Sequence, residues 1–494
     1  MPTRPDASLE QLRKLAKELL KAHKTKDPKA AERFRRHRPS AASPALHDAQ
    51  LVIAREYGFA SWPLLKRYVS ALSDWPPPHT QVELVQKRFR RTLSLGPPAT
   101  VLDLVGRQAE DLLDGFRARD PATAVELRNH HPALAGRSGE QLFGAEFSIE
   151  EARLVAARGH GFASWGDVEA AADRNLDASF EAAVDALVSG DLESLAAALQ
   201  AEPELARRRS ALGHRATLLH YVAANGVEIR RQSTPTNAVA IARALLDAGA
   251  DVDALAATYG GGSSQTTLCL LVTSHHPAQA GVQAELTEAL LDAGAAIDGL
   301  DGDSAPLESA LAFGYVDTAE VLARRGARIG NVVTAAGLGR VEVMKEFFDE
   351  AGAFAGAAHT DPFGRTTANP VEILGRAFLA ACHHGRLEAA RLLLQHGADI
   401  ATRGPQNFTA LHRAAFEAKV GTVEFLLELG APLELTNDYD ATVLDAAVWA
   451  AVRSRARAAD YQRILERLLA AGADVAAVSP FPTGDATIDD LLRS

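Results

Sequence analysis

Cysteine is scarce in this chain, and its scarcity excludes a fold built on disulfides. The 494 residues include two cysteines, Cys269 and Cys382, whereas a disulfide framework needs several pairs. Aromatic residues make up only 6% of the chain, while hydrophobic residues reach 47% and are mainly alanine and leucine. Because a β-sandwich needs β-branched and aromatic side chains on its pleated surfaces, this composition favours closely packed helices.

Segments that would place the protein in or across a membrane are also missing. The N-terminus, MPTRPDASLEQLRK, has no apolar run of the kind that a secretory signal peptide needs. No apolar run in the chain is long enough to span a bilayer. Together with two free thiols, these absences predict a soluble cytoplasmic protein.

Motifs typical of catalysis or metal binding are absent as well. The sequence has no HExxH, no cysteine pair at zinc spacing, no GxxxxGKS or GxxxxGKT and no GxSxG. Two histidine pairs, His275-His276 and His383-His384, are adjacent in sequence. Neighbouring residues on a helix point about 100° apart, so such pairs rarely bind one ion. We therefore predict no catalytic residue, no metal site and no cofactor.

Positive charge is concentrated at the N-terminus of an acidic protein. The net charge is −11, but residues 1–70 hold 15 Lys and Arg against 7 Asp and Glu, so the remainder carries −19. The basic stretch 21–38 is the one hint of a nucleic-acid or membrane partner. Because no groove-reading motif accompanies it, we interpret it as a solvated helix face and expect neither partner.

One segment of the sequence is present twice. The string GFASW occurs at 58–62 and again at 161–165, and the stretch upstream of the first copy, 15–39, aligns with 108–132. The pattern of each copy predicts four short helices. The duplication is therefore that of a whole helical module.

Helix-capping residues mark the turns of each module. Asp27-Pro28 and Asp120-Pro121 are typical of a helix start, because Asp accepts hydrogen bonds from free N–H groups and Pro needs no acceptor. In the second copy, Gly161 predicts a helix end, and Ser164 with Asp167 predicts a capping box. We interpret GFASW as a helix–turn–helix corner packed by its Phe and Trp, with an aromatic ligand site as the alternative.

From about residue 176 a second repeat takes over. Variants of the phrase LLDAGADVD recur at intervals of about 33 residues or more, and a phrase such as TALHRAAFEA precedes several of them. Period and phrases resemble the ankyrin repeat and its T-P-L-H-x-A opening, over roughly residues 180–494. The resemblance implies that Thr217, Thr409 and Thr442 begin helices, and that His220 and His412 bond back to the Thr of their own unit.

The resemblance also implies a fold class. About eight units and a half-repeat C-cap (484–494) predict an all-α ankyrin-repeat solenoid, preceded by two related small helical modules. The predicted segments are a first module, a connecting segment, a second module and the array, at 1–75, 76–103, 104–175 and 176–494. This arrangement resembles bacterial ankyrin-repeat-domain proteins with a duplicated GFASW module, and that resemblance brings no defined activity.

Ankyrin-repeat proteins bind partners on the concave face of the array, at positions that follow the motif His and the Ala pair of each first helix. Insertions such as 226–239 are expected to add loops, often on a binding face. The predicted partner-binding residues are Tyr221, Asn225, Phe313, His383, His384, Arg413, Phe416 and Trp449, with Arg231 and Tyr259 as loop candidates. Several are of types that dominate interface energetics. We predict a non-catalytic scaffold for a protein or peptide partner.

A second hypothesis stays open on the sequence alone. In it the protein is an enzyme, or a small-molecule or metal sensor. Its pocket would lie between the N-terminal modules and the array, lined by His383, His384, His412, Tyr221 and the loop 257–265. A perturbed histidine cluster would favour this hypothesis, whereas an open aromatic groove would favour the scaffold.

Overall fold

The chain forms two compact units. The central unit is Asp74–Gly330, and the terminal unit combines Met1–Ser73 with Asn331–Ser494. The computed structural model describes residues 9–37, 44–56, 62, 76, 78–93, 98–135, 137–262, 264–453, 457–478, 481, 483 and 485–493. The predicted division into four segments stays a prediction.

The first GFASW module lies in the terminal unit and is described in part. Its helices are α1 (Leu9–Lys24), α2 (Pro28–His37) and α3 (Leu46–Glu56). They share a small core that includes Leu19, Phe34 and Ile53, against which the partly buried Trp62 packs. Apart from Trp62, the predicted fourth helix and its cap lie outside the described residues.

The second module lies in the central unit, after the predicted connecting helix. The helices are α4 (Pro78–Leu93), which connects, and then α5 (Val101–Arg117), α6 (Pro121–His130), α7 (Gly139–Phe143), α8 (Ile149–Gly159) and α9 (Trp165–Ala170). Four of the module helices were predicted, and α7 lies in the extra residues of this copy. Asp120 begins α6 as expected, since its Oδ1 accepts a hydrogen bond from the N–H of Ala122 at 2.8 Å.

The GFASW corner of the second copy has the predicted geometry. Ser164 and Asp167 form a capping box, in which the N–H of Ser164 donates to Asp167 Oδ2 at 2.8 Å. Gly161 has a φ of +81°, and a Cβ there would lie 2.3 Å from the backbone N of His214. Phe162 is buried in the module core. The string therefore forms a helix–turn–helix corner. At Gly161 the backbone of His214 lies too close for any side chain.

Helix pairs follow the second module in the central unit. First helices pack on first helices, and second helices on second helices. The pairs are α10 (Ala178–Ser189) with α11 (Leu192–Ala201), α12 (Leu218–Val222) with α13 (Ala238–Asp247), α14 (Thr267–Leu271) and the insertion helix α15 (His275–Gln279) with α16 (Gln283–Asp292), and α17 (Ala305–Ala312) with α18 (Val316–Arg324).

The terminal unit continues the same pattern. Its pairs are α19 (Val332–Leu338) with α20 (Val341–Lys345), α21 (Pro370–His383) with α22 (Leu387–Gln395), α23 (Ala410–Phe416) with α24 (Val420–Glu428), and α25 (Val443–Arg453) with α26 (Ala458–Ala470), followed by the short helix α27 (Ala486–Leu491). In the described part of the chain this makes eight pairs and a last half pair. The predicted all-α class is confirmed.

The Thr–His motif starts first helices in the predicted way. Thr409 Oγ1 lies 2.8 Å from His412 Nδ1, and His412 Nε2 lies 3.2 Å from the carbonyl of Ala441 in the next turn. The same 2.8 Å contact joins Thr217 to His220. Each histidine thus ties its own helix start, and His412 also ties the neighbouring repeat.

Strands are confined to two hairpins within the described ranges. β1 (Ala256–Ala257) pairs antiparallel with β2 (Ser264–Gln265), and β3 (His359–Thr360) pairs antiparallel with β4 (Thr366–Thr367). The first hairpin contains the predicted loop 257–265. Both hairpins are the turns that project between successive helix pairs.

The insertion 226–239 is packed inside the central unit, which corrects the expectation of a loop on a binding face. Its turn Ile229–Arg231 contacts α4: Gln86 Nε2 donates to the carbonyl of Arg230 at 2.8 Å. The Arg230 guanidinium lies over the Phe89 ring, 4.1 Å from its centre. The insertion therefore attaches the connecting helix to the repeats.

Replacing His412 with Gln should destabilise the protein more at pH 7.5 than at pH 5. Burial lowers the pKa of His412 to about 4, so between about pH 6.5 and pH 4 the unfolded chain binds the proton more tightly. The contribution of neutral His412 to the free energy of unfolding is complete above pH 6.5 and is lost as the pH falls toward 4. In urea titrations, the difference between wild type and variant should narrow by up to about 2 kcal/mol.

His47→Gln is the matched control, because the His47 side chain is 78% exposed. Its effect on the free energy of unfolding should be small at both pH values. If the free energy of unfolding of the His412→Gln variant differed from that of wild type by the same amount at both pH values, burial would not hold this histidine neutral.

Candidate functional site

The predicted partner-binding residues divide between the two compact units. The terminal unit holds His383, His384, Arg413, Phe416 and Trp449, and the central unit holds Tyr221, Asn225, Arg231, Tyr259 and Phe313. Their role in binding stays a prediction. Their surroundings, however, differ strongly from residue to residue.

Four aromatic side chains of the terminal unit touch one another in a row. The ring of Phe416 stacks on Trp449 with centroids 5.4 Å apart and meets Phe408 edge-on at 5.8 Å. Phe408 meets Tyr439 at 6.5 Å, and the Arg413 guanidinium lies 5.4 Å from the Phe408 ring centre. Tyr439 is 41% exposed, and Phe416 and Trp449 are half-buried. We call Phe408, Arg413, Phe416, Tyr439 and Trp449 the aromatic surface.

The repeat spacing explains why these rings meet. Phe416 and Trp449 occupy equivalent positions in α23 and α25, the first helices of adjacent pairs, which pack side by side. The sequence pattern pointed to both of them and to Arg413. It missed Phe408 and Tyr439, because they lie in the turns before first helices. An aromatic residue directly before the motif Thr, as in FTALH, would have been the signal for Phe408.

Two hydrogen bonds, one from α26 and one from the residue before it, hold the end of α23 in place. The O–H of Tyr461 donates to the carbonyl of Phe416 at 2.8 Å, and Arg457 Nη1 donates to the carbonyl of Glu417 at 2.8 Å. The last carbonyls of a helix have no partner within it, so these donors satisfy them. Phe416 therefore sits on a fixed backbone.

A cluster of charges borders the aromatic surface. Glu417 Oε2 lies 2.6 Å from Lys419 Nζ and 3.3 Å from His383 Nδ1, and its Oε1 lies 3.3 Å from Arg413 Nη1. Burial alone would raise the pKa of Glu417, but the hydrogen bonds and charges of His383 and Lys419 outweigh it and lower the pKa to about 2. His384 meets His383 ring to ring at 4.7 Å.

The histidine pairs do not build a metal centre in the part of the chain that the structure describes. No group of three or more His, Cys, Asp or Glu side chains there could hold a metal ion. His383 is instead held by Glu417.

Tyr221 is fully buried and offers no surface to a partner, which corrects its assignment to the concave face. Its O–H donates to Glu228 Oε2 at 3.1 Å. Glu228 belongs to the insertion 226–239, and this added segment covers the position that the repeat pattern leaves exposed.

Arg231 is also buried, with 3% of its surface exposed. Its guanidinium lies 2.6 Å from Glu181 Oε2, 2.9 Å from Asp185 Oδ1 and 3.3 Å from Glu228 Oε1. These contacts join the insertion to α10, which contributes both Glu181 and Asp185. Arg231 is therefore an internal link of the central unit and not a loop residue open to a partner.

The other three predicted residues of the central unit are at least partly exposed. Asn225 Nδ2 donates to Thr273 Oγ1 at 3.0 Å, which joins two repeats. Phe313 is 44% exposed and stacks on Tyr315, with centroids 6.4 Å apart. Tyr259 is 53% exposed at the tip of the first hairpin.

A cavity of about 310 Å³ lies within the central unit. Its walls come from α4, the ends of α6 and α8, the segment 224–232, the first hairpin and the segment 273–276. The titratable side chains that line it are His130, Arg158, His214, Tyr259, His275 and His276. The predicted pocket residues His383, His384, His412 and Tyr221 do not line it, whereas the predicted loop 257–265 does, through Tyr259 and Gly260.

Comparisons with known proteins identify the repeat. Residues 378–427 match a family model described as ankyrin repeats in many copies. Human protein phosphatase 1 regulatory subunit 27 is 39% identical over 64 residues, 12% of this chain and 42% of that protein, so the chain spans about two fifths of the length of this curated relative. The family-model match supports ankyrin repeats at residues 378–427, where the structure has stacked helix pairs. The bacterial origin and the GFASW module resemblance stay predictions.

Among solved structures, the crystal structure of the ankyrin repeat domain of Bcl-3, a member of the IkappaB protein family, aligns with 58% of this chain and 97% of its own. The identity is 21% and the TM-score is 0.25. Within the described ranges, the helices are too short or too polar to cross a membrane.

Replacing Arg231 with Met should destabilise the central unit by about 3 kcal/mol, because it leaves the buried Glu228 and the partly buried Glu181 without the guanidinium that both contact. Thermal unfolding followed by circular dichroism measures the change. The matched control is Arg243→Met, since Arg243 is exposed on α13, and its effect should stay within about 0.5 kcal/mol. Equal effects of the two substitutions would contradict a structural role for Arg231.

Proposed function

We propose that this chain is a non-catalytic scaffold that binds a protein or peptide partner on the aromatic surface of the terminal unit. The observation that carries the proposal is the stacking of Phe416 on Trp449, on adjacent first helices, with both rings half-exposed. In ankyrin-repeat proteins these positions face the partner. Aromatic and Arg side chains placed there supply much of the binding energy of an interface.

The rigidity of the aromatic surface supports the proposal. Arg413 is positioned by Glu417 and by the Phe408 ring, and the backbone below Phe416 is held by Tyr461. Side chains that are already ordered lose little conformational entropy when a partner binds. This part of the terminal unit is therefore suited to a stable, specific contact.

The resemblance to a phosphatase regulatory subunit supports a protein partner as a class. By its name, that relative acts on a protein phosphatase, and part of its length matches this chain. From that relative we carry over to this chain only the mode of action, which is association with another protein. A cytoplasmic location and the absence of catalysis are part of the same proposal.

The double variant Phe416→Ala/Trp449→Ala should lose the partner. Wild type and variant, both checked for helicity by circular dichroism, are immobilised as full-length baits in native lysate, and eluates are compared by mass spectrometry. The protein enriched by wild type is then purified and its Kd measured by calorimetry. Loss of a central aromatic contact should weaken the Kd by about 30-fold or more, or about 2 kcal/mol.

Phe363→Ala provides the control within the same unit. Phe363 is 60% exposed near the β3–β4 hairpin and does not belong to the aromatic surface. This variant should bind like wild type. A partner that both variants retain equally would exclude the aromatic surface as the binding site. A partner that both lose would show that binding also needs the turn of the β3–β4 hairpin, and so would contradict an interface confined to the aromatic surface.

A further inference from the structure

The cavity of the central unit is built jointly by the second module and the repeats. The module contributes Asn129, His130 and Arg158, and the repeats contribute His214, Asn225 and the segment 273–276. At about 310 Å³, it lies at the lower end of the range for pockets that enclose small molecules. A ligand in it would contact both parts of the unit.

The lining of the cavity contains no acidic residue, although the chain as a whole carries a charge of −11. Its polar groups are one arginine, four histidines, a tyrosine, two hydroxyl side chains and four side-chain amides. All of these groups can donate hydrogen bonds. The lining of this cavity therefore has no carboxylate, although the protein as a whole is acidic.

Arg158 is the charged group of this lining, and it is not neutralised. Its Nε is buried and has no hydrogen-bond partner within the described residues. A Cβ built on Gly260 would lie 3.3 Å from both Nε and Cζ of Arg158, so the guanidinium rests directly on the hairpin turn. Gly260 has a φ of +74°, a conformation that suits glycine. The turn thus positions Arg158 without supplying a counter-charge.

Two buried carboxylates each lie against a histidine of the cavity lining. Glu228 Oε2 lies 3.2 Å from His214 Nε2, and Glu126 Oε2 lies 3.4 Å from His130 Nε2. Glu228 is also in contact with Arg231, at 3.3 Å. Both carboxylates stand behind cavity histidines, are buried, and are absent from the lining. Arg158 is therefore the one permanently charged side chain among the described residues that line the cavity.

We propose that this cavity is a binding site for a small organic anion that carries a carboxylate or phosphate group. Both groups match the guanidinium of Arg158 with parallel, charge-assisted hydrogen bonds. The amide of Asn129 borders the same space. Its Nδ2 donates one hydrogen bond to the carbonyl of Val125 and keeps a second N–H for a ligand. The site is separate from the aromatic surface and does not depend on the scaffold function.

Other ligand classes fit the cavity less well. A cation would meet Arg158 with no acidic side chain in the lining to bind it. An uncharged ligand would leave Arg158 partly withdrawn from water and without a counter-ion. A partly buried charge without a partner has an unfavourable free energy. An anion removes that cost.

Binding is tested on the full-length chain with inorganic phosphate and succinate as probes, at constant ionic strength set by sodium chloride. Isothermal titration calorimetry gives the Kd, and thermal unfolding gives the accompanying rise in Tm. At least one anion should bind saturably, whereas succinamide, the uncharged analogue of succinate, should not. Tighter binding of phosphate identifies a phosphate ester as the ligand class, and tighter binding of succinate identifies a carboxylate.

Arg158→Met should weaken binding of the preferred anion at least tenfold. Arg153→Met is the matched control on the same helix, because Arg153 lies over the ring of Trp165, 5.1 Å from its centre, and is not in the lining. Its Kd should equal that of wild type. Asn129→Asp, which adds a carboxylate to the exposed rim, should also weaken binding and serves if Arg158→Met is unstable.

Two results would overturn the proposal. One is the absence of saturable binding of either anion to the wild-type chain. The other is an equal Kd for the Arg158→Met and Arg153→Met variants, with Asn129→Asp also unchanged, which would place any bound anion elsewhere on the protein.

Discussion

A pair of short helices cannot bury its own apolar face, and the architecture of this chain follows from that constraint. First helices such as Leu218–Val222 and Thr267–Leu271 have five residues each, far fewer than an isolated helix needs in water. These two helices are stable because neighbouring pairs cover them and because each begins at a threonine, Thr217 or Thr266. Additional residues can then be accommodated only between helices, where they leave the stacking intact.

The insertion 226–239 shows what such an addition can do to its surroundings. It brings Glu228 into the interior, where burial would raise the pKa of its carboxyl, but His214 and Arg231 outweigh burial and hold the pKa well below its ordinary value. A buried carboxylate of this kind needs its cations in place. Tyr221 and Arg231 are therefore committed to the interior, and the same segment attaches the connecting helix and the second module.

Local patterns were predictable from the sequence, and contacts made by insertions were not. The caps at Asp120, Ser164 and Thr409 depend on residues within a few positions, so their motifs predicted them correctly. The contact of Phe416 with Trp449 follows from equal positions in adjacent repeats. The burial of Tyr221 and Arg231 depends on an insertion that has no counterpart in the repeat pattern and on Glu181, some 50 positions away, so no periodicity could reveal it.

The two proposed sites have opposite physical requirements, and a repeat protein can meet both in one chain. A protein partner needs accessible, rigid aromatic side chains. Phe416 and Trp449, both half-buried, supply them on regular first helices with no insertion between them. A small anion needs a concave site and an arginine without a counter-ion. The insertion 226–239, the hairpin turn at Gly260 and the second GFASW module line such a site around Arg158. Because each repeat is stabilised mainly by its immediate neighbours, a change in one stretch leaves distant pairs unaffected. The duplicated module can thus acquire a ligand site in one copy without altering the surface of the array elsewhere.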